Sequence, residues 1–327
     1  MIIFEPTFLS IDNKNVIYDI FYQNEIQKII IIGPCIGEYN ISLNGLPFKK
    51  IIDTSNHTNL WYLDYPEYLP IVDLIIEDNI YNLKVNNYPT FQSKLILSTN
   101  LKNESHYVKQ WVEYWLKFGI DYITIYDNNS SEEEFNNMVR ILERFDNVFI
   151  FRWNYPYRYS PSGYSAQTCR EAHAIWAHKN ARFIGMFDVD EYIVPQTSQR
   201  GFDVGRFLMN ILRKNKDGEI GAISIGGLCF GNIEDAPEHG KDFFKIINCE
   251  KEVNFSIKKM FIIPRNVDLM CVHQIVKGEQ DLVLSSREIL FNHYLFLNKK
   301  RDGDKGERGR NKSGFRSTNN KILNYVD

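Results

Sequence analysis

Past the middle of the chain stands Arg182-Phe183-Ile184-Gly185-Met186-Phe187-Asp188-Val189-Asp190-Glu191-Tyr192-Ile193-Val194-Pro195. Phe183, Ile184, Met186 and Phe187 make an apolar run of buried-strand length. The run stops at three acids, Asp188, Asp190 and Glu191, and Pro195 ends ladder pairing. A core strand finishing in clustered carboxylates needs a reason, because unpaired buried charge is costly. In open α/β sheets, ligands bind beyond the carboxyl ends of the strands. An extended backbone sends Asp188 and Asp190 out on one face. Two hard oxygen ligands there suit Mg²⁺ or Mn²⁺, which commonly bridges to a phosphate.

A bare Asp-x-Asp has other readings. A solvated strand end is the plainest. A phosphatase of the haloacid dehalogenase type wants Thr or Val two residues after the second Asp, where this chain has Tyr192. An EF-hand loop needs Gly at its sixth position and Glu at its twelfth, and counting from Asp188 gives Ile193 and Gln199.

Upstream, strands alternate with helices from about residue 93. Lys94 to Ser98 reads as a strand, followed by Asn103-Glu104-Ser105 as a cap. Tyr107, Val108, Trp111, Val112, Trp115 and Phe118 keep helical spacing until Gly119. Tyr122 to Tyr126 is a strand ending in Asp127-Asn128-Asn129-Ser130. Ser131 and Glu134 have capping-box spacing. Val148 to Phe151 is a third strand, and Ser165 to His178 a helix. After the acids come a helix around Phe207 to Leu212 and a strand from Ile220 to Ile225. This order predicts an α/β fold, a parallel sheet with helices on both faces. Two polar clusters, Asp127 to Ser130 and Asp188 to Glu191, then share one sheet edge. Rigid strands carrying such side chains suit catalysis.

Residues 1–92 read differently. Val16 to Tyr22, Lys28 to Ile32 and Ile71 to Glu77 are strand-like, separated by turn signals such as Asn44-Gly45. They predict a small β-rich, sandwich-like domain ahead of the α/β domain of residues 93–300. Its simplest role is a scaffold, with acceptor or carbohydrate binding as the alternative. Residues 301–327 form a basic tail; Lys299 to Lys312 holds seven bases and three acids.

The chain has 327 residues and a formal net charge of −3. That near-balance gives no reason to expect a nucleic acid or an anionic membrane as partner. No window approaches ~18 uncharged apolar residues, so no membrane span is expected. The N-terminus lacks the pattern of a signal peptide. Five scattered cysteines without Cys-x-x-Cys argue for a reducing compartment. The expectation is a soluble cytoplasmic protein.

Downstream, Glu234, Asp235 and Glu238 follow a glycine-rich stretch, and a carboxylate there can serve as general base. His273 and His293 sit beside short apolar runs. His173 and His178, five apart, do not share a helix face. The aromatic segment Trp153 to Tyr164 is a candidate for stacking on an acceptor, with core packing as the alternative.

Taken together, Lys102-Asn103-Glu104, Trp111-Val112-Glu113-Tyr114, Gly119-Ile120-Asp121 and Tyr126-Asp127-Asn128-Asn129-Ser130-Ser131 resemble the opening of GT-A glycosyltransferases of the GT2-like and GT92 (DUF23) groups. Asp188-Val189-Asp190-Glu191-Tyr192 is similar to their Asp-x-Asp-Glu-Phe segment, Phe230-Gly231 to their Phe-Gly pair, and His293-Tyr294 to their late His-Tyr. The resemblance covers roughly residues 94 to 300. It implies a GT-A (Rossmann-like) mixed sheet and a nucleotide-sugar donor, most often UDP-linked. It also implies a divalent Mn²⁺ or Mg²⁺ and a glycan or glycoprotein acceptor. It places Lys102, Glu104, Asp127, Asn129 and Asp188 at the donor. Asp188 and Asp190 would hold the metal, with His293 or His273 completing its shell. Glu234 and Asp235 are candidates for the base. The alternatives carried forward are a Mg²⁺-dependent phosphatase or nucleotidyltransferase using Asp188 and Asp190, and a catalytically silent glycan-binding protein.

Overall fold

The computed structural model describes residues 1–51, 57–157, 165–196, 201–215, 219–230, 244, 248–294, 317–319 and 321–325. Its centre is a mixed sheet of twelve strands among the described residues. Five neighbouring strands are parallel, in spatial order Ile2–Phe4, Val148–Arg152, Tyr122–Asp127, Leu95–Leu101 and Phe183–Met186. The last four therefore run third, second, first, fourth in chain order. Strand order reverses between Leu95–Leu101 and Phe183–Met186, where α/β sheets place their ligands. Asn254–Ile262 then pairs antiparallel with Phe183–Met186, and Ala222–Phe230 with Asn254–Ile262.

Among the described residues, four α-helices cover this sheet: α1 (Ser105–Lys117), α2 (Glu132–Leu142), α3 (Ser165–Ala177) and α4 (Val204–Lys214). Helix α1 buries Tyr107, Val108, Trp111, Val112 and Trp115 on one face, as their spacing requires. Gly119 ends it in the left-handed region at φ 88°. Ser131 caps α2 by accepting from the Glu134 amide, but the expected capping box is only half formed: the Ser131 amide donates to Asn103 Oδ1, and Glu134 Oε2 accepts from the Ser105 amide instead. Helices α1, α2 and α4 share one hydrophobic core with the sheet face bearing Leu97, Ile123, Ile125 and Phe187. The opposite face, with Ile96, Tyr126, Ile184 and Met186, packs on α3.

The β-rich region supplies the rest of that second face. A five-stranded sheet and a four-stranded sheet enclose a core of Ile29, Ile31, Trp61, Val72 and Leu74. Alternate residues of the same strand, Ile30 and Ile32, join the core under α3. The strand Lys28–Pro34 is thus buried on both faces, which accounts for its unbroken apolar run. The asparagine–glycine turn predicted at residues 44 and 45 closes a hairpin with both residues at positive φ, 51° and 77°. Among the described residues no helix is long and apolar enough to cross a membrane.

Candidate active site

The acids leave the strand in a turn, not in an extended run. The Glu191 amide donates to the Asp188 carbonyl at 3.0 Å. The Asp188 amide donates to Glu191 Oε2 at 2.9 Å. Glu191 then opens a new strand, Glu191–Pro195, antiparallel to Ile289–Tyr294 with Glu191 opposite His293. The expectation that Asp188 and Asp190 leave one face of an extended strand is therefore corrected. The turn sends them to different partners.

Asp188 Oδ2 accepts from Lys259 Nζ at 2.8 Å, and the same ammonium lies 3.0 Å from Glu191 Oε2. Lys259 comes from the neighbouring antiparallel strand Asn254–Ile262 and is buried. Burial works against its charge, but Asp188 and Glu191 outweigh burial and raise its pKa. Asp190 faces the other way: His293 Nε2 lies 3.5 Å from its Oδ2 and 3.8 Å from Glu191 Oε1. One ligand atom each from Asp190, Glu191 and His293 fall within 4.8 Å of one another. Asp190 Oδ1, Glu191 Oε1 and His293 Nδ1 are buried without a hydrogen-bond partner. Burial lifts the Glu191 carboxyl above the usual range, and Lys259 and His293 oppose that lift. Burial disfavours charge on His293, yet Asp190, Cys229 and Glu191 together raise its pKa well above the ordinary imidazole value.

These orphaned donor atoms fit a divalent cation. Two carboxylates and an imidazole suit Mn²⁺ better than Mg²⁺, which prefers oxygen. As a candidate ligand, Glu191 was missed in the sequence, where it reads as the first residue after the acid pair. Its Cα pairing with His293 is the signal, and only the sheet register reveals it.

His273 lies beside the cluster. Its Nδ1 donates to the Lys258 carbonyl at 2.9 Å. Its pKa is pulled to about 4, by burial first and then by the Lys259 charge. The ring is neutral at pH 7, with Nδ1 committed to the backbone.

Asp127 ends the strand Tyr122–Asp127 and is fully buried. Neither carboxylate oxygen has a hydrogen bond of full geometry. Burial raises its pKa, and nearby Ser130 and Arg152 offset this in part. Asn129 adopts φ 62° and donates to the Tyr155 carbonyl at 2.9 Å. Glu104, at the N-cap of α1, is buried and makes no capping bond. The Ser105 amide donates to Glu134 Oε2. Burial first, and then the charges of Glu104 and Asp190, raise the Tyr107 phenol. Lys102 is exposed. Glu234, Asp235 and most of the basic tail lie outside the described residues. In the aromatic segment, Trp153 and Tyr155 are core residues. Their packing reading holds, and acceptor stacking is not open to them.

A profile of glycosyltransferase family 92 matches residues 99–326. Comparison with curated proteins gives no match. Among solved structures, the chain is similar to the apo structure of the bifunctional glycosyltransferase WbbM, with 13% identity, TM-score 0.33, and 59% of this chain and 35% of that one covered. It is also similar to a mycobacterial protein, with 10% identity, TM-score 0.29 and 43% of each chain covered. The mannosyltransferase Ktr4p from S. cerevisiae, in complex with GDP, gives 10% identity, TM-score 0.25, and 43% and 42% coverage. The chain thus spans about a third of WbbM and under half of the other two. The family match takes in well over half of this sequence, and with it the sheet edge that gathers Asp127, Asp190, Glu191 and His293: the chain belongs to glycosyltransferase family 92 and is a glycosyltransferase.

Proposed function

We propose that this enzyme uses a nucleotide-diphosphate sugar, a UDP-hexose, and a divalent cation, and transfers the hexose to a hydroxyl of a glycan or glycoprotein. The observation that carries this is the set Asp190, Glu191 and His293, three ligand atoms within 4.8 Å whose buried neighbours lack partners. A cation bound there neutralises charge developing on a departing diphosphate. Asp190, Glu191 and His293 would hold it. Lys259 fixes Asp188 and one Glu191 oxygen, and so orients the other toward the site. Asp127 would accept hydrogen bonds from the nucleoside, which offsets the cost of its burial. The acceptor hydroxyl needs a base, and Glu234 and Asp235 keep that proposed role.

Membership of a glycosyltransferase family replaces the phosphatase and nucleotidyltransferase readings of the acid pair. The test is calorimetric titration of UDP in Mn²⁺ and then in EDTA, on the parent chain and on Asp190→Ala. Binding that needs Mn²⁺ and vanishes in the variant supports the proposal. Equal binding in EDTA would remove the metal, and no binding at all would remove UDP.

A further inference from the structure

The family match begins at residue 99, so the β-rich region stands outside it. Two consecutive residues of that region, Tyr18 and Asp19, nevertheless reach the loop that carries Asp127 by separate routes.

The first route starts at Asp19, which is fully buried. Its Oδ1 accepts from the amides of Thr7 and Ile20 and from Asn86 Nδ2, each at 2.8 Å. Its Oδ2 accepts from the Tyr88 hydroxyl at 2.5 Å and lies 2.9 Å from His173 Nε2. A carboxylate oxygen accepts, so Nε2 donates to it. Nδ1 meets the Tyr126 hydroxyl at 2.7 Å. Tyr126 is the residue before Asp127. The rings of Phe21, Tyr88, Tyr126, Phe151 and Trp153 enclose His173 at centroid distances of 4.9 to 5.5 Å.

The second route starts at Tyr18. Its ring stacks on Tyr155 at 3.9 Å with the planes 2° apart, and the Tyr155 hydroxyl donates to the Tyr18 carbonyl. The Tyr155 carbonyl accepts from Asn128 Nδ2 at 2.8 Å and from Asn129 Nδ2 at 2.9 Å. Asn128 also donates to the Trp153 carbonyl at 2.7 Å. Asn128 and Asn129 are the two residues after Asp127. The loop is thus gripped immediately before and immediately after its acid.

Apolar contact alone would join the two regions without burying a carboxylate, which is costly even when satisfied. What a carboxylate with five partners adds is direction. We propose that Tyr18 and Asp19 are positioning residues of the donor site, holding the loop Asp127–Asn129 in the shape that receives the nucleoside. The proposal rests on Asp127 as the nucleoside contact. It assigns the β-rich region a task in donor binding.

The test uses the full chain with Asp19→Asn and, separately, Tyr155→Phe, which removes one hydroxyl. Each should weaken UDP binding about tenfold, the effect of one lost hydrogen bond to a charged or buried group. Mn²⁺ binding without nucleotide should stay as in the parent. In an Asp127→Ala background the same changes should add nothing, because they act through Asp127. Amide hydrogen exchange over residues 126–129 should quicken relative to α4. A variant that folds with parental UDP affinity and parental exchange overturns the proposal, as does full additivity with Asp127→Ala. If the parent binds no UDP, the Asp127 assignment fails, and the exchange measurement alone decides whether Asp19 and Tyr155 hold this loop. If Asp19→Asn does not fold, Tyr155→Phe carries the same comparison.

Discussion

Lys259 and Asp188 form an ion pair, Nζ to Oδ2 at 2.8 Å, with the lysine side chain 7% and the aspartate 31% exposed. The same ammonium holds Glu191, so a permanent cation sits among the carboxylates of the candidate metal site. Lys259→Met leaves two carboxylates without it. Breaking a buried pair costs about 3–5 kcal/mol, and the partial exposure of Asp188 puts this case near the lower end. Mn²⁺ should then stabilise the variant more than the parent, because it supplies the missing positive charge. Thermal unfolding with and without Mn²⁺ checks this. Equal increments in the two proteins would sink the idea.

The turn at Asp188 sets an order among the acids. Asp190 and Glu191 offer oxygens beside His293, whereas Asp188 Oδ2 is engaged by Lys259. Asp190→Ala and His293→Ala should each lower Mn²⁺ affinity by more than tenfold, about 1.4 kcal/mol or more. Asp188→Asn should lower it less than either. Direct Mn²⁺ titration followed by electron paramagnetic resonance gives the order. Asp188→Asn as the most damaging change would show that the turn is remade on metal binding.

Asp127 is buried in the free protein, and burial raises its pKa against only a partial offset from Ser130 and Arg152. Asp127→Asn keeps the shape and removes the charge. The free protein should gain ~1 kcal/mol, seen as a rise in Tm of about 2–4 °C. UDP affinity should fall in the same variant. A lowered Tm would mean that the carboxylate already has a stabilising partner.

His178 predicts an acid limb in stability. It is buried, and its ring lies 5.0 Å from Phe91. Burial first, and His173 second, pull its pKa to about 3. An unfolded histidine titrates near 6.5. Between these values the unfolded chain binds a proton that the folded chain refuses, so stability falls as pH drops. The slope is about 1.4 kcal/mol per pH unit. Chemical denaturation at pH 6.5, 5.8 and 5 should show it, and His178→Leu should flatten it. An unchanged slope in the variant would assign the limb to other groups.

Much of the α/β half was readable because its signals are local. The spacing from Tyr107 to Phe118, the Ser131 N-cap and the apolar run before Asp188 each depend on residues a few positions apart. They gave the parallel order and the shared sheet edge of Asp127 and Asp190. What escaped depends on pairing across the chain. Glu191 gains its neighbour His293 from strand register, and Lys259 reaches Asp188 from an antiparallel strand. The stretch Val16 to Tyr22 reads as one strand but divides at Tyr18 into Lys14–Ile17 and Asp19–Gln23. Nothing in its own pattern reveals that Tyr18 and Asp19 are claimed by Tyr155 and His173.

Ile2 pairs with Phe149 and Phe4 with Phe151, in parallel, at the rim of the central sheet. Synthesis therefore delivers this strand long before its partner exists, and the β-rich region intervenes between them. Loops of that size close late and at an entropic cost. Until closure, Val148–Arg152 offers an open row of amides and carbonyls to any other chain. Removing residues 2–4 would make that exposure permanent, so the short strand doubles as a guard against edge-to-edge aggregation during and after folding.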